Sequence, residues 1–166
     1  MRRGELPPLT WDDVHVDNGV TFLNISKELL RSNRIVHHTK TYKDRDVPLS
    51  LFPKALDVLK RVELLHKQMN LDSKFIFWAN TENGCITYDT VANFHNRMLR
   101  KLNIPTSREC MKGTHAYRRT VVNELRNKGA NPQTVANILG QSVQVQESNY
   151  YTGGYDLEEL KSIANG

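Results

Sequence analysis

No stretch of this sequence approaches the roughly 20 consecutive apolar residues that a membrane-crossing helix requires. Runs such as KFIFW (74–78) end after a few positions. The N-terminal MRRGELPPLTW carries two arginines but no apolar segment behind them, so no signal peptide is visible. There are only two cysteines, Cys85 and Cys110, far apart and without metal-ligand spacing. That scarcity excludes a disulfide framework and a cysteine-based zinc site. Both are expected to be reduced thiols of a cytoplasmic protein. Internal repeats are absent, and no cluster of residues calls for a metal or another cofactor.

What the chain does have is an excess of positive charge. Lys and Arg total 23 against 18 acids, a net +5 with a pI near 9.3. This is compatible with a polyanionic partner, although many basic proteins never touch nucleic acid. With 166 residues, 39% hydrophobic and 25% charged, the chain suits one globular domain with a real core.

The first third reads as β structure. VHVDNGVTFLNI (14–25) places Val14, Val16, Val20 and Phe22 around Asn18-Gly19, a dipeptide suited to a tight hairpin turn. RIVHHTKTYKDRDVPLS (34–50) predicts two further strands joined at a polar turn, Tyr42 to Arg45. The remainder predicts helices. Pro53 opens one, with Leu56, Leu59 and Met69 on a stripe and Val62 and Leu65 beside it. Another follows Tyr88-Asp89 with a stripe of Val91, Phe94, Met98 and Leu102. A third runs from about Thr114 to Gly129, and Asn131-Pro132 caps a short one ending at Gly140. Ser142 caps the next, expected to carry Tyr150 and Tyr151, and a last helix follows Asp156. The fold class is therefore α+β: a small antiparallel sheet followed by a mainly helical body.

GTHAYRRT (113–120) is the sharpest chemical motif. His115 and Arg118 are spaced i,i+3 on a predicted helix and share a face. A guanidinium offers a bidentate fork to two phosphate oxygens, and an imidazole moves a proton near neutral pH. Alone, the pair is a weak signal.

Taken with its surroundings, HAYRRT…LRNKGANPQTVANILGQS…NYYT closely resembles the C-terminal catalytic region of the tyrosine recombinases, the integrases of phages and conjugative transposons. That family carries H-x-x-R, a short helix ending in L-G-H-S, and a nucleophilic tyrosine nine or ten residues later. MRRGELPPLTWDDV (1–14) resembles its first arginine segment, which makes Arg2 the catalytic arginine, Arg3 its neighbour and Glu5 the acidic residue. HTKTYKDRDVPLS (38–50) resembles the hairpin bearing its catalytic lysine, here Lys40. Each motif is weak alone; the four in order, over essentially the whole chain, are not.

The resemblance implies a catalytic set of Arg2, Lys40, His115, Arg118, Gln141 and Tyr150, with Lys43, Arg45 and Arg119 contacting DNA. Gln141 stands where the family has histidine or tryptophan, so a neutral donor replaces a chargeable one. Tyr150 and Tyr151 lie nine and ten residues past Gln141, and the family uses both spacings. Adjacent helical residues point about 100° apart, so only one can face His115 and Arg118; Tyr150 is favoured. The implied chemistry is metal-free phosphoryl transfer. Arg2 and Arg118 clamp the non-bridging oxygens, His115 assists tyrosine deprotonation or holds the phosphate, and Lys40 protonates the leaving 5′-oxygen. A 3′-phosphotyrosyl bond forms, and strands exchange through a Holliday junction. The implied partner is double-stranded DNA, bound by a homo-tetramer whose C-terminal tails, past Gly153-Gly154, dock on neighbouring protomers. Since the motifs begin at residue 2, the chain reads as a single catalytic domain, 1–166, that is a fragment of a longer recombinase, expected to lack the start of the catalytic domain and an N-terminal DNA-clamping domain.

Three other readings stay open at this stage, one being that the fragment folds and docks on DNA but is inactive without its clamping domain. NPQTVANILGQSVQVQESNYY also scans as a helix-turn-helix, which would suit a non-enzymatic DNA-binding module. A type IB topoisomerase shares the phosphotyrosine chemistry and resembles the family in fold. The remaining histidines, 15, 37, 38, 66 and 95, read as solvent-facing or structural, and Trp11 and Trp78 as packing residues.

Overall fold

Asn18 and Gly19 take φ of +47° and +76°, the left-handed pair that a two-residue hairpin turn requires. They join β1 (Val14–Asp17) to β2 (Val20–Ile25) in antiparallel register, Asp17 opposite Val20 and Val14 opposite Leu23. This is a computed structural model, and it describes residues 1–105 and 113–151. The last predicted helix, after Asp156, lies outside the described residues.

The second expected hairpin is rearranged. β3 (Glu28–Leu29) pairs with β4 (Ile35–Val36) as a separate two-stranded ladder. β5 (Arg45–Pro48) instead joins β2, giving a three-stranded sheet in the order β1-β2-β5. Residues 37–44 are thus a long connection rather than facing strands. Thr39 anchors it: the side chain is fully buried and its Oγ1 donates to the Lys43 carbonyl at 3.0 Å. Such a satisfied internal contact fixes a loop where no ladder is available.

Five helices follow within the described residues: α1 (Pro53–Gln68), α2 (Tyr88–Lys101), α3 (His115–Asn127), α4 (Pro132–Leu139) and α5 (Val143–Asn149). The starts of α2, α4 and α5 carry side-chain caps. Asn131 Oδ1 accepts from the Gln133 amide, and Ser142 Oγ accepts from the Val145 amide. Gly140, at φ +63°, ends α4 in the left-handed conformation.

Two apolar clusters hold these elements. Leu9, Leu23, Ile25, Leu49 and Ile76 form one between the sheet and α1; Val122, Leu125, Val135 and Leu139 form the other between α3 and α4. Full burial of each such side chain contributes about 1.5–3 kcal/mol. The second cluster also receives Tyr150 and Tyr151, so the C-terminal end of α5 is held by the α3–α4 core.

Both predicted helix stripes are less buried than their periodicity implies. On α1, Leu56, Leu59 and Val62 pack on the first cluster, while Leu65 and Met69 are exposed. On α2, Phe94, Met98 and Leu102 are exposed, and the buried residue is His95. The reason is contact geometry. Helix α2 packs on the 3-10 turn Arg3–Glu5, and His95 Nδ1 lies 2.9 Å from the Tyr117 hydroxyl of α3. Periodicity identifies the apolar face of a helix but not which face a neighbour covers.

Candidate active site

The left-handed Gly140 stops α4 with its last carbonyls unmatched by any further turn, at the negative end of the helix dipole. Three arginines fill those acceptors. Arg45 Nε donates to Ile138 O at 3.0 Å, Arg118 Nη2 to Leu139 O at 2.6 Å, and Arg2 Nη2 to Gly140 O at 2.7 Å. One helix end therefore gathers side chains separated by more than a hundred positions in sequence.

Glu5 completes the brace from the other side. Its side chain is fully buried and accepts from Arg2 Nη1 at 3.0 Å and from Arg45 Nη2 at 2.7 Å. Burial alone would push this carboxyl up. The hydrogen bond and charge of Arg45, with the Arg2 amide, outweigh burial and hold it below its ordinary range. An ionised carboxylate thus spaces two guanidiniums that would otherwise repel.

Gly140 is required twice over. A Cβ there would lie 2.7 Å from Arg45 Nη1, and its φ is one that L side chains rarely adopt. Gly140→Ala should lower stability by about 1–2 kcal/mol in urea unfolding, from left-handed strain alone. If the site cleaves DNA as the sequence resemblance implies, displacement of the Arg45–Glu5–Arg2 brace should lower single-turnover cleavage about 10- to 100-fold. Undiminished cleavage would show that the brace does not set the position of Arg2.

Helix α3 supplies the next pair. Arg118 is 4% exposed; besides Leu139 O, its Nη2 donates to Gln141 Oε1 at 3.0 Å. Arg118 Nη1 and Gln141 Nε2 are buried donors without a partner, an arrangement that an anionic oxygen would satisfy. His115, one turn earlier and more exposed, places Nδ1 3.1 Å from the Tyr150 hydroxyl. The Arg118 guanidinium lies 5.7 Å from the centroid of the same tyrosine ring.

The two tyrosines are separated by their surroundings. Helix α5 ends at Asn149, so both follow it rather than sit within it. Tyr150 N–H still donates to Gln146 O at 3.0 Å, and Asn123 Nδ2 holds the Tyr150 carbonyl at 3.1 Å. Tyr151 turns the other way, its ring 4.5 Å from the Arg126 guanidinium, which is itself paired with Glu147.

Lys40 is exposed on the 37–44 connection and lines one groove with Arg2 and His115, so the structure brings it to the same place. Lys43 is exposed nearby and borders a second groove with Gln141, and Arg119 is half-buried on α3. Arg45, expected to contact DNA, is placed differently. Its side chain is 7% exposed and is spent on Glu5 and Ile138, so it braces Arg2 instead of facing solvent. Its inward turn left no local signal, since its partners lie 40 and 93 positions away. Among the described residues, no three His, Cys, Asp or Glu side chains converge as metal ligands would.

The site is strongly cationic, and His115 registers it. Burial first, then the charges of Arg118, Arg2, Arg119 and Lys40, lower its pKa below the ordinary 6.5. A neutral imidazole accepts a proton and an imidazolium cannot. If His115 takes the tyrosine proton, single-turnover cleavage at subsaturating protein, which reports the DNA-free site, should therefore rise with pH through a midpoint below 6.5. An acidic limb centred well above neutrality would contradict this assignment.

The phage integrase family matches residues 1–156 of the chain, which therefore belongs to that family. Among solved structures, the XerH site-specific recombinase bound to palindromic difH substrate, a post-cleavage complex, superposes with a TM-score of 0.71 at 20% identity. The match covers 100% of this chain and 42% of that one. The Tn1549 transposon integrase (residues 82–397), in complex with circular intermediate DNA, gives 0.68 at 21% identity, covering 100% and 56%. XerA recombinase gives 0.63 at 19% identity, covering 99% and 53%. This chain thus spans about half the length of these structures, and the likeness establishes the α+β fold expected from the sequence. No curated protein matches the chain.

Proposed function

Given that the chain belongs to the phage integrase family, we propose that it is the catalytic domain of a site-specific DNA recombinase that uses Tyr150 as its nucleophile. The observation that carries this reading is the Tyr150 hydroxyl, 3.1 Å from His115 Nδ1 and beside an Arg118 with an unpartnered, buried donor. Nucleophile, proton acceptor and anion clamp meet at one point.

In this mechanism the scissile phosphate sits between Arg2 and Arg118, which neutralise its non-bridging oxygens as charge develops on them. Gln141 Nε2 adds a neutral donor. The Tyr150 oxygen attacks phosphorus while its proton passes to His115 Nδ1. The bond to the 5′-oxygen breaks, and the Lys40 ammonium protonates that oxygen as it leaves. The 3′-phosphotyrosyl bond keeps the energy of the phosphodiester, so a 5′-hydroxyl of another strand can reverse the step. Two such rounds pass through a Holliday junction. The XerH and Tn1549 integrase structures contain DNA, and double-stranded DNA is the partner proposed here. It would be engaged by four copies that exchange C-terminal tails, whose residues lie outside the described part of the chain. Residues 1–166 form one catalytic domain in this reading, and chemistry of this kind needs no metal.

The test uses a duplex selected for binding from a random-sequence pool, nicked near the cleavage point so that the cut fragment diffuses away. Denaturing electrophoresis should show a covalent protein–DNA adduct, formed in excess EDTA at close to the untreated rate. A strict magnesium requirement for cleavage would remove the arginine-clamp mechanism. Binding without any adduct would favour the helix-turn-helix module, although that model leaves the buried Glu5–Arg2–Arg45 brace unexplained. Plasmid relaxation without strand exchange would favour a topoisomerase.

A further inference from the structure

A second cationic cluster opens from the same groove and takes no part in the mechanism above. Tyr88, the first residue of α2, is half-buried, and the Arg3 guanidinium lies over its ring, 3.9 Å from the centroid. Arg31, exposed in the β3–β4 turn, lies 5.9 Å from the same centroid. Three separate elements therefore converge on one aromatic side chain. Stacking fixes the plane of a guanidinium while leaving its N–H edges free to donate.

Those edges have no acidic claimant. Among the described residues, no carboxylate lies within ion-pairing distance of Arg3 or Arg31, and Glu28, which lines the same groove, pairs with neither. The contrast with Arg2 and Arg45, both paired with Glu5, is direct. Burial alone would push the Tyr88 phenol up, yet hydrogen bonding to Arg3 and Arg31, and then their charges, outweigh it and hold the phenol below its usual range. The cluster therefore favours negative charge.

Its position says which negative charge. One groove of about 480 Å³ is lined by Arg2, Lys40 and His115 together with Arg3, Arg31 and Tyr88. Arg3 follows Arg2 directly in the chain, so the seats are tied through one backbone turn. A DNA strand carries phosphates at regular, short intervals, so a strand with one phosphate on Arg2 presents the next within the same groove.

We propose that Arg3 and Arg31, oriented by the Tyr88 ring, form a second seat for a backbone phosphate flanking the scissile one. Arg31 and Tyr88 are then positioning residues for the reacting strand: they fix its register without touching the reacting atoms. The strand-cleavage reading enters only in naming the scissile phosphate.

The experiment combines protein and DNA substitutions. Duplexes selected from a random pool are made with one neutral methylphosphonate at each linkage in turn near the cleavage point. Equilibrium binding and adduct formation are measured for the wild type, Arg31→Ala, Tyr88→Phe and Tyr88→Leu. Arg31→Ala should weaken binding about tenfold and reduce the salt slope by about one. At one linkage, one or two nucleotides from the cleaved bond, methylphosphonate should weaken wild-type binding by a similar factor. The same linkage should cost Arg31→Ala almost nothing further, because the lost charge had only that partner. Tyr88→Phe, which keeps the ring and loses only the hydroxyl's interaction with the arginines, should retain most of the binding, while Tyr88→Leu should follow Arg31→Ala. Additive losses at every linkage would show diffuse attraction and overturn the seat, as would unaltered binding by Arg31→Ala. Binding alone reads this coupling, so a protein that shows it but forms no adduct retains the seat and loses the recombinase reading.

Discussion

Tyr150→Phe should abolish the covalent protein–DNA adduct while leaving noncovalent affinity within about tenfold of wild type, the net worth of a single hydrogen bond. In the proposed mechanism the phenol oxygen is the atom that bonds to phosphorus, so no residual route remains once it is gone. The ring itself packs with the Val122–Leu139 cluster, and phenylalanine preserves that packing. Tyr151→Phe is the matched control. Its ring lies against Arg126, and Arg126 is held by Glu147. Adduct formation should survive that change at near wild-type rate. Loss in both variants would indicate that the segment after α5 is disturbed as a unit rather than that one hydroxyl reacts.

The second large effect separates the proton donor from the charge clamps. Lys40→Ala should slow cleavage about 10²- to 10⁴-fold, the usual range for loss of a general acid. Arg118→Ala should cost at least about 10²- to 10³-fold, as loss of a donor to the developing charge does. Replacing the scissile 5′-oxygen with sulfur distinguishes them. A thiol, with a pKa near 8.5, leaves as a thiolate with little help, whereas an alkoxide must be protonated. Sulfur should therefore restore Lys40→Ala and leave Arg118→Ala slow, since the non-bridging oxygens still need Arg118. Equal rescue of both variants would mean that Lys40 is not specifically the acid. No rescue of either would make Lys40 one more phosphate-contacting lysine. Its exposed place on the 37–44 connection, in the groove with Arg2 and His115, suits a group that reaches the leaving oxygen.

Features decided by a few neighbouring residues were legible in the sequence. Asn18-Gly19, Pro53, Asn131-Pro132, Gly140 and Ser142 each act within one turn of their own position, and the turn, starts and stop they set appear where expected. Features decided by distant partners were not. β5 pairs with β2 across twenty or more positions, and no local pattern distinguishes that partner from β4. Helix α2 turns His95 rather than its apolar stripe toward α3, because Tyr117 offers that histidine a hydrogen bond. Arg45 looked like one more cation on a basic strand, yet a buried Glu5 and the end of α4 draw it inward. The HxxR pair was visible as a motif, but the choice between adjacent tyrosines rested on a helix that ends one residue too soon. What distinguishes them is tertiary: His115 meets Tyr150, and Arg126 covers Tyr151.

The central claim is that Tyr150, under His115 and Arg118, becomes covalently joined to DNA. Trapping the adduct on a nicked duplex, digesting it and sequencing the DNA-linked peptide by mass spectrometry reads that claim atom by atom. The account predicts a single modified residue, Tyr150, carrying a 3′-phosphate-linked nucleotide. Recovery of the nucleotide on Tyr151, or on no tyrosine at all, would contradict it.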